Sequence, residues 1–146
     1  MTKTQLLLMT IIFSLSLTAC STNELENVER VKVSFWSGDE KQSEEVAIVN
    51  KDEIEPFISA TNHAKELDEQ TIIKTPPTLT YIINMEENSN KSYHLWIIED
   101  GEGYIQSLLP EDRLTYRLDE DSVKELTTIL IKQGDATLLK NIEFEK

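Results

Sequence analysis

The sequence is poor in the residues on which most catalytic and metal sites depend. It contains one cysteine and two histidines. It has no HExxH, CxxC or Gly-x-Ser-x-Gly motif and no glycine-rich phosphate loop. These absences leave no recognisable nucleophile, zinc site or nucleotide site. We therefore predict that the protein is not an enzyme and that it uses no cofactor and no metal.

Basic residues are also scarce, with 14 Lys and Arg against 27 Asp and Glu and a net charge of −13. This balance argues against a nucleic-acid partner, whose phosphates would be repelled. It also argues against a second, electrostatic contact with the membrane, because anionic lipids attract basic patches. The acidity either keeps a surface protein soluble, which we favour, or matches a protein partner with a basic surface.

No apolar run reaches the roughly 20 residues that a membrane-spanning helix needs. The first twenty residues instead have the order of a secretory signal, with a basic residue, an apolar stretch at 6–17 and small residues before Cys20. The segment Leu17-Thr18-Ala19-Cys20 is typical of a bacterial lipoprotein cleavage site. We predict cleavage between Ala19 and Cys20 and acylation of the cysteine. Two acyl chains give stable anchoring, here at the extracytoplasmic face of the cell membrane.

The chain is predicted to have three parts. Residues 1–19 form the signal peptide, and residues 20–29 form the lipidated cysteine and a short polar tether with a reach of at most about 30 Å. Residues 30–146 form a single domain. Because the lipid consumes the one cysteine, this domain has no intramolecular disulfide and must rely on its hydrophobic core.

Hydrophobic periodicity predicts an α+β domain with the element order β-β-α-β-β-β-β-α. Strands are expected at 31–35, 45–50, 78–85, 92–98, 104–109 and 113–118. They form a mostly antiparallel sheet, with 92–98 at its centre, and two amphipathic helices pack on it. In the tail, Leu138, Ile142 and Phe144 share one parity, which permits a short C-terminal edge strand.

Helix boundaries are indicated by capping residues. The first helix is expected to start either at an Asn50 cap, with Pro56 distorting its first turn, or at Pro56 itself. It is expected to end near Leu67. The second helix has Asp119 as its N-cap and Gly134 just after its last turn.

Three aromatic side chains are candidates for an interaction or ligand face. Trp36 falls at a strand-to-turn edge, where it either covers the end of the core, which we favour, or anchors a protein partner. His94 is expected on the central strand and on the same face as Trp96, which we expect in the core. For His94 a packing role is favoured over catalysis or metal binding.

The lipoprotein box is followed by a series of core and turn residues with a recognisable spacing: Tyr93-x-Leu95-Trp96, Gly101 or Gly103, Thr115-Tyr116-Arg117-Leu118, Leu126 and Leu130. Over roughly residues 30–132 the chain resembles the small Bacillus-type lipoproteins with a YhfM-like domain. The resemblance implies a Gram-positive cell-surface lipoprotein, and it carries over no catalytic residues.

Three functions are consistent with these features. We favour a non-enzymatic, membrane-anchored protein-interaction module. The alternative is a lipoprotein that binds a small ligand or a cation, because the chain has acid-rich segments at 99–102 and 119–121 and a strand face with His94 and Trp96. The least favoured is a cell-wall hydrolase with paired carboxylates, since no such pair can be located among so many acids.

Overall fold

The computed structural model describes residues 25–68, 71–134 and 136–145. The predicted signal peptide, the cleavage site and Cys20 lie outside the described residues. The elements in chain order are β1 Val28–Ser37, β2 Glu40–Lys41, β3 Val46–Ile48, α1 Lys51–His63, β4 Lys65–Glu66, β5 Leu79–Met85, a 3-10 turn Glu86–Asn88, β6 Asn90–Ile97, β7 Gly103–Ser107, β8 Thr115–Arg117 and α2 Glu120–Gln133.

The strands form one antiparallel sheet in the order β2-β1-β5-β6-β7-β8-β4, and β3 also pairs with β1. The α+β class, the order of the main elements and the central position of β6 are as predicted. Two very short strands, β2 and β4, were not predicted, because two-residue pairings leave no periodic pattern in a sequence. β7 begins at Gly103, one residue before the predicted strand at 104–109.

Both helices pack on the same face of the sheet and contact each other. Alternate strand residues point into this layer, where they meet the apolar stripes of the helices. The largest fully buried side chains are found here: Tyr81, Phe57, Leu79, Ile83, Leu95, Ile97, Ile105, Leu126, Leu130, Val31 and Val33. This layer is the main core.

Among the residues that the structure describes, cover on the opposite face of the sheet is found at one end only. A second cluster there contains Ile73, Trp96, Ile98 and Tyr104. The segment 71–77 and the C-terminal tail cover it, and they are held by backbone bonds between Lys74 and Glu143 and between Leu139 and Ile97. The tail makes isolated bridges at Leu139 and Phe144 and forms no continuous strand within 136–145.

The first helix begins at Lys51 and not at Pro56, because the Asn50 side chain accepts a hydrogen bond from the Asp52 backbone N–H. It ends at His63, earlier than expected. The chain must leave the helix there because Lys65–Glu66 pairs with β8. Leu67 then packs against the second cluster on the far face.

The folded part of the chain starts earlier than the predicted boundary at residue 30. Leu25 is buried in the main core, and its backbone N–H donates to the Asn62 side chain at 3.1 Å. Val28 already belongs to β1. Residues 25–29, assigned to the tether by the sequence analysis, therefore belong to the domain.

Candidate functional site

The three candidate side chains Trp36, His94 and Trp96 lie in a row on the sheet face opposite the helices. The ring centroids of Trp36 and His94 are 5.6 Å apart at an interplanar angle of 89°. Those of His94 and Trp96 are 5.8 Å apart at 82°. The sheet brings them together because Trp36 lies at the end of β1, while His94 and Trp96 are two residues apart on β6.

A buried hydroxyl, which the sequence analysis did not single out, connects two of these rings. The Trp36 Nε1–H donates to Thr80 Oγ1 at 2.9 Å, and Thr80 Oγ1 lies 2.9 Å from His94 Nδ1. All three groups are satisfied when the Thr80 hydroxyl donates to Nδ1, which leaves the imidazole proton on Nε2. Thr80 therefore fixes the positions of Trp36 and His94.

His94 is neutral at physiological pH. Burial, together with the weaker effect of the positive charges on Lys41 and Arg113, lowers its pKa to about 4. A neutral, half-buried imidazole that accepts a hydrogen bond from threonine is suited to packing. This is the role that the sequence analysis favoured for it.

The two tryptophans differ in exposure. Trp96 is buried in the second cluster and donates its indole N–H to the Thr75 carbonyl at 2.7 Å. Trp36 is half-buried, so part of its ring remains open to solvent. Of the two tryptophans, Trp36 is thus the one available to a partner.

A groove of about 360 Å³ runs beside Trp36. Its walls are the turn after β1, the segment before β5 and the tail, and its lining includes Trp36, Asp39, Gln42, Pro76, Thr137 and Leu139. Pro77 is buried, and the tail is bound through Leu139, so two of the walls are fixed to the sheet. The groove combines a rigid aromatic and apolar surface with a few polar groups, which is the composition of protein anchor sites and small-ligand sites.

Within 25–68, 71–134 and 136–145, no group of three or more His, Cys, Asp or Glu side chains is arranged to hold a metal ion. None of the helices in the same ranges is long and apolar enough to cross a membrane.

No curated protein matches this chain, and no solved structure does. A family model does match: the one for YhfM protein covers residues 27–134, from the start of β1 to the end of α2. The match spans the sheet and both helices and agrees with the resemblance seen in the core residues. The chain belongs to the YhfM protein family.

Proposed function

We propose that this protein is a lipid-anchored, extracytoplasmic and non-enzymatic interaction module. The observation that carries the proposal is the segment Leu17-Thr18-Ala19-Cys20, which lies only five residues before Leu25. Because Leu25 is packed in the main core, the span from Cys20 to the domain is at most about 18 Å. An acylated Cys20 would hold the domain directly against the membrane.

The groove beside Trp36 is the surface that we assign to a protein partner. β1 runs from the tethered end of the domain to Trp36, a distance of about 30 Å for its ten residues. The groove therefore lies near the far end of β1 from the point of attachment. Asp39 lines it and Glu40 follows, and Asp39 forms no ion pair with any described residue. These acids favour a partner that presents a basic surface.

Binding of a small ligand in the same groove is the second candidate, since its volume suits one. A ligand that binds the folded state raises the apparent stability of the protein. A thermal-shift increase with a sugar or a short peptide, abolished by Trp36→Ala, would favour this candidate.

Replacement of Cys20 by serine is expected to remove the protein from the membrane fraction. Serine offers no thiolate for acylation, and without acyl chains the domain has no stable anchor. Fractionation of cells, with mass spectrometry of the mature N-terminus, measures both effects. The neighbouring Ser21→Ala variant is the matched control and should stay with the membrane. Wild-type protein without an acyl mass at Cys20 would contradict the anchor.

A photo-crosslinking amino acid in place of Ser37, at the rim of the groove, is expected to capture a defined protein on intact cells. The same amino acid in place of Asn88, at the opposite end of the sheet, is the control. Addition of Asp39→Asn should weaken the capture from position 37, because it removes a groove carboxylate that no described residue pairs with. Equal capture from positions 37 and 88, or none from either, would contradict a partner site in the groove.

A further inference from the structure

The uncovered part of the sheet face around His94 carries positive charge, although the chain as a whole is strongly acidic. The strand register places Arg30 and Lys32 on this face with Thr80 and His94. Lys41 is paired with Trp36 across β1 and β2. Lys41 and Arg113 both act electrostatically on His94. Arg30, Lys41 and Arg113 are all exposed.

Two carboxylates beside this face already have cationic partners. Glu45 is held by Lys32 at 3.0 Å, and Glu102 is held by Arg117 at 3.3 Å. Among the described residues, Arg30, Lys41 and Arg113 are in none of the ion pairs. Within the part of the chain that the structure describes, their charges have no carboxylate partner and can meet an external anion.

Many of the acids lie elsewhere on the domain. Glu66, Glu111 and Asp112 act on Tyr116, whose ring is on the helix side. Both helices begin with acids in the first turn. At physiological ionic strength charges are screened over about 8 Å, so acids on the helix layer contribute little at the opposite sheet surface. The net charge of −13 therefore does not describe this face.

We infer that this basic sheet face, defined by Arg30, Lys32, Lys41, His94 and Arg113, rests on the anionic headgroups of the membrane. The inference rests on the proposed lipid anchor, which holds the domain at the membrane, and adds a second contact to it. Each cation near an anionic bilayer strengthens binding about fivefold, so three give a contact on the order of a hundredfold. Such a contact is weak for a free protein. It is sufficient for a domain that a tether of at most about 18 Å holds at the surface.

Two further features fit a membrane and not a soluble acidic partner. The face is wide, because the sheet spans about 24 Å from β2 to β8 at the usual strand spacing. At its rim lies the half-exposed indole of Trp36, a side chain that prefers the membrane–water interface. The groove beside Trp36 remains at the edge of this face, where a protein partner can still enter.

The test uses the chain from Ser21 to Lys146, which contains both core clusters complete and lacks the lipid. Because the contact of the free domain is weak, its sedimentation is measured at low ionic strength and at high lipid concentration. The vesicles are either pure phosphatidylcholine or an equal mixture of phosphatidylcholine and phosphatidylglycerol. Binding is expected only with phosphatidylglycerol and is expected to fall steeply with added salt. Because the lipid is absent, this result is independent of the Cys20 experiment.

Two variants with equal net charge separate the face from the overall charge. Arg30→Gln/Lys41→Gln/Arg113→Gln is expected to bind on the order of a hundredfold more weakly. The matched variant, Lys51→Gln/Lys124→Gln/Lys132→Gln, removes three exposed cations from the helices and should bind like wild type. Equal loss in both variants would overturn the inference.

A readout on the unmodified domain avoids any effect of substitution on folding. Lipids with brominated acyl chains should quench the half-exposed Trp36 but not the buried Trp96, and Trp36→Phe should abolish the quenching. No quenching, or equal binding to both kinds of vesicle, overturns the membrane contact. Binding of an acidic decapeptide without binding of vesicles would also overturn the membrane contact, and it would assign the face to an acidic protein segment.

Discussion

Gly103→Ala is expected to destabilise the domain by about 1–3 kcal/mol, the usual cost of overpacking a close-packed core. A Cβ atom at residue 103 would lie 2.6 Å from Val123 Cγ2 and 3.3 Å from Leu118 Cδ1. Val123 is buried, and a valine in a helix has one strongly preferred rotamer, so it cannot swing away. The backbone of β7 or α2 must shift instead.

A double-mutant cycle identifies the cause of this cost. Val123→Ala alone loses buried methyl groups and is expected to destabilise by about 1–2 kcal/mol. In the double variant the methyl group introduced at position 103 occupies the vacated space. The double variant should therefore be destabilised by about 1 kcal/mol or more less than the sum of the two single variants. Urea denaturation of the four proteins measures the cycle. Strictly additive costs would show that the contact between β7 and α2 is not what requires glycine.

Gly103 also shows where sequence analysis reaches its limit. In the sequence, Gly101 and Gly103 stood as alternatives for one position of the family resemblance. In the structure Gly101 has a positive φ of 97° and serves the turn. Gly103 lies in β7, where the approach of α2 leaves no room for a side chain. A local pattern predicts the first requirement, but the second depends on packing between elements that are distant in sequence.

The helix caps were predictable because, like the turn at Gly101, they depend on a local sequence pattern. Asp119 accepts a hydrogen bond from the Ser122 backbone N–H, and Gly134 adopts the left-handed conformation after α2. Both depend on residues within one helical turn. The end of α1 was not predictable, because it is set by the pairing of Lys65–Glu66 with β8, some fifty residues further along the chain.

The candidate site was predicted only in part. Strand periodicity placed His94 and Trp96 on one face of the central strand. It did not bring Trp36 to that face, since the register between β1, β5 and β6 is a tertiary property. The total charge likewise predicted an acidic surface and gave no sign of the basic sheet face. That face depends on tertiary structure, because the fold brings Lys41 and Arg113 close to His94.

Thr80→Val is expected to cost about 1–2 kcal/mol of stability and to loosen Trp36. Valine has the shape of threonine, so packing is preserved and only the hydroxyl is lost. The Trp36 Nε1–H and His94 Nδ1 then both lose their partner, and unpaired polar groups cost more than the bond itself contributed. Because both rings are half-exposed, water replaces part of the loss.

Thr80→Ser is the matched control for this substitution, since it keeps the hydroxyl and removes a methyl group. Urea denaturation gives the stability of each variant, and tryptophan fluorescence anisotropy reports the mobility of Trp36 against that of the buried Trp96. The valine variant should show the larger rise in mobility, and the serine variant should stay close to wild type. If Trp36 is equally rigid in both variants, its position is set by the packing of His94 and not by Thr80. If valine reproduces the expected loss, the rigid indole beside the groove depends on a single buried hydroxyl, and the same variant should weaken both partner capture from position 37 and quenching by brominated lipid.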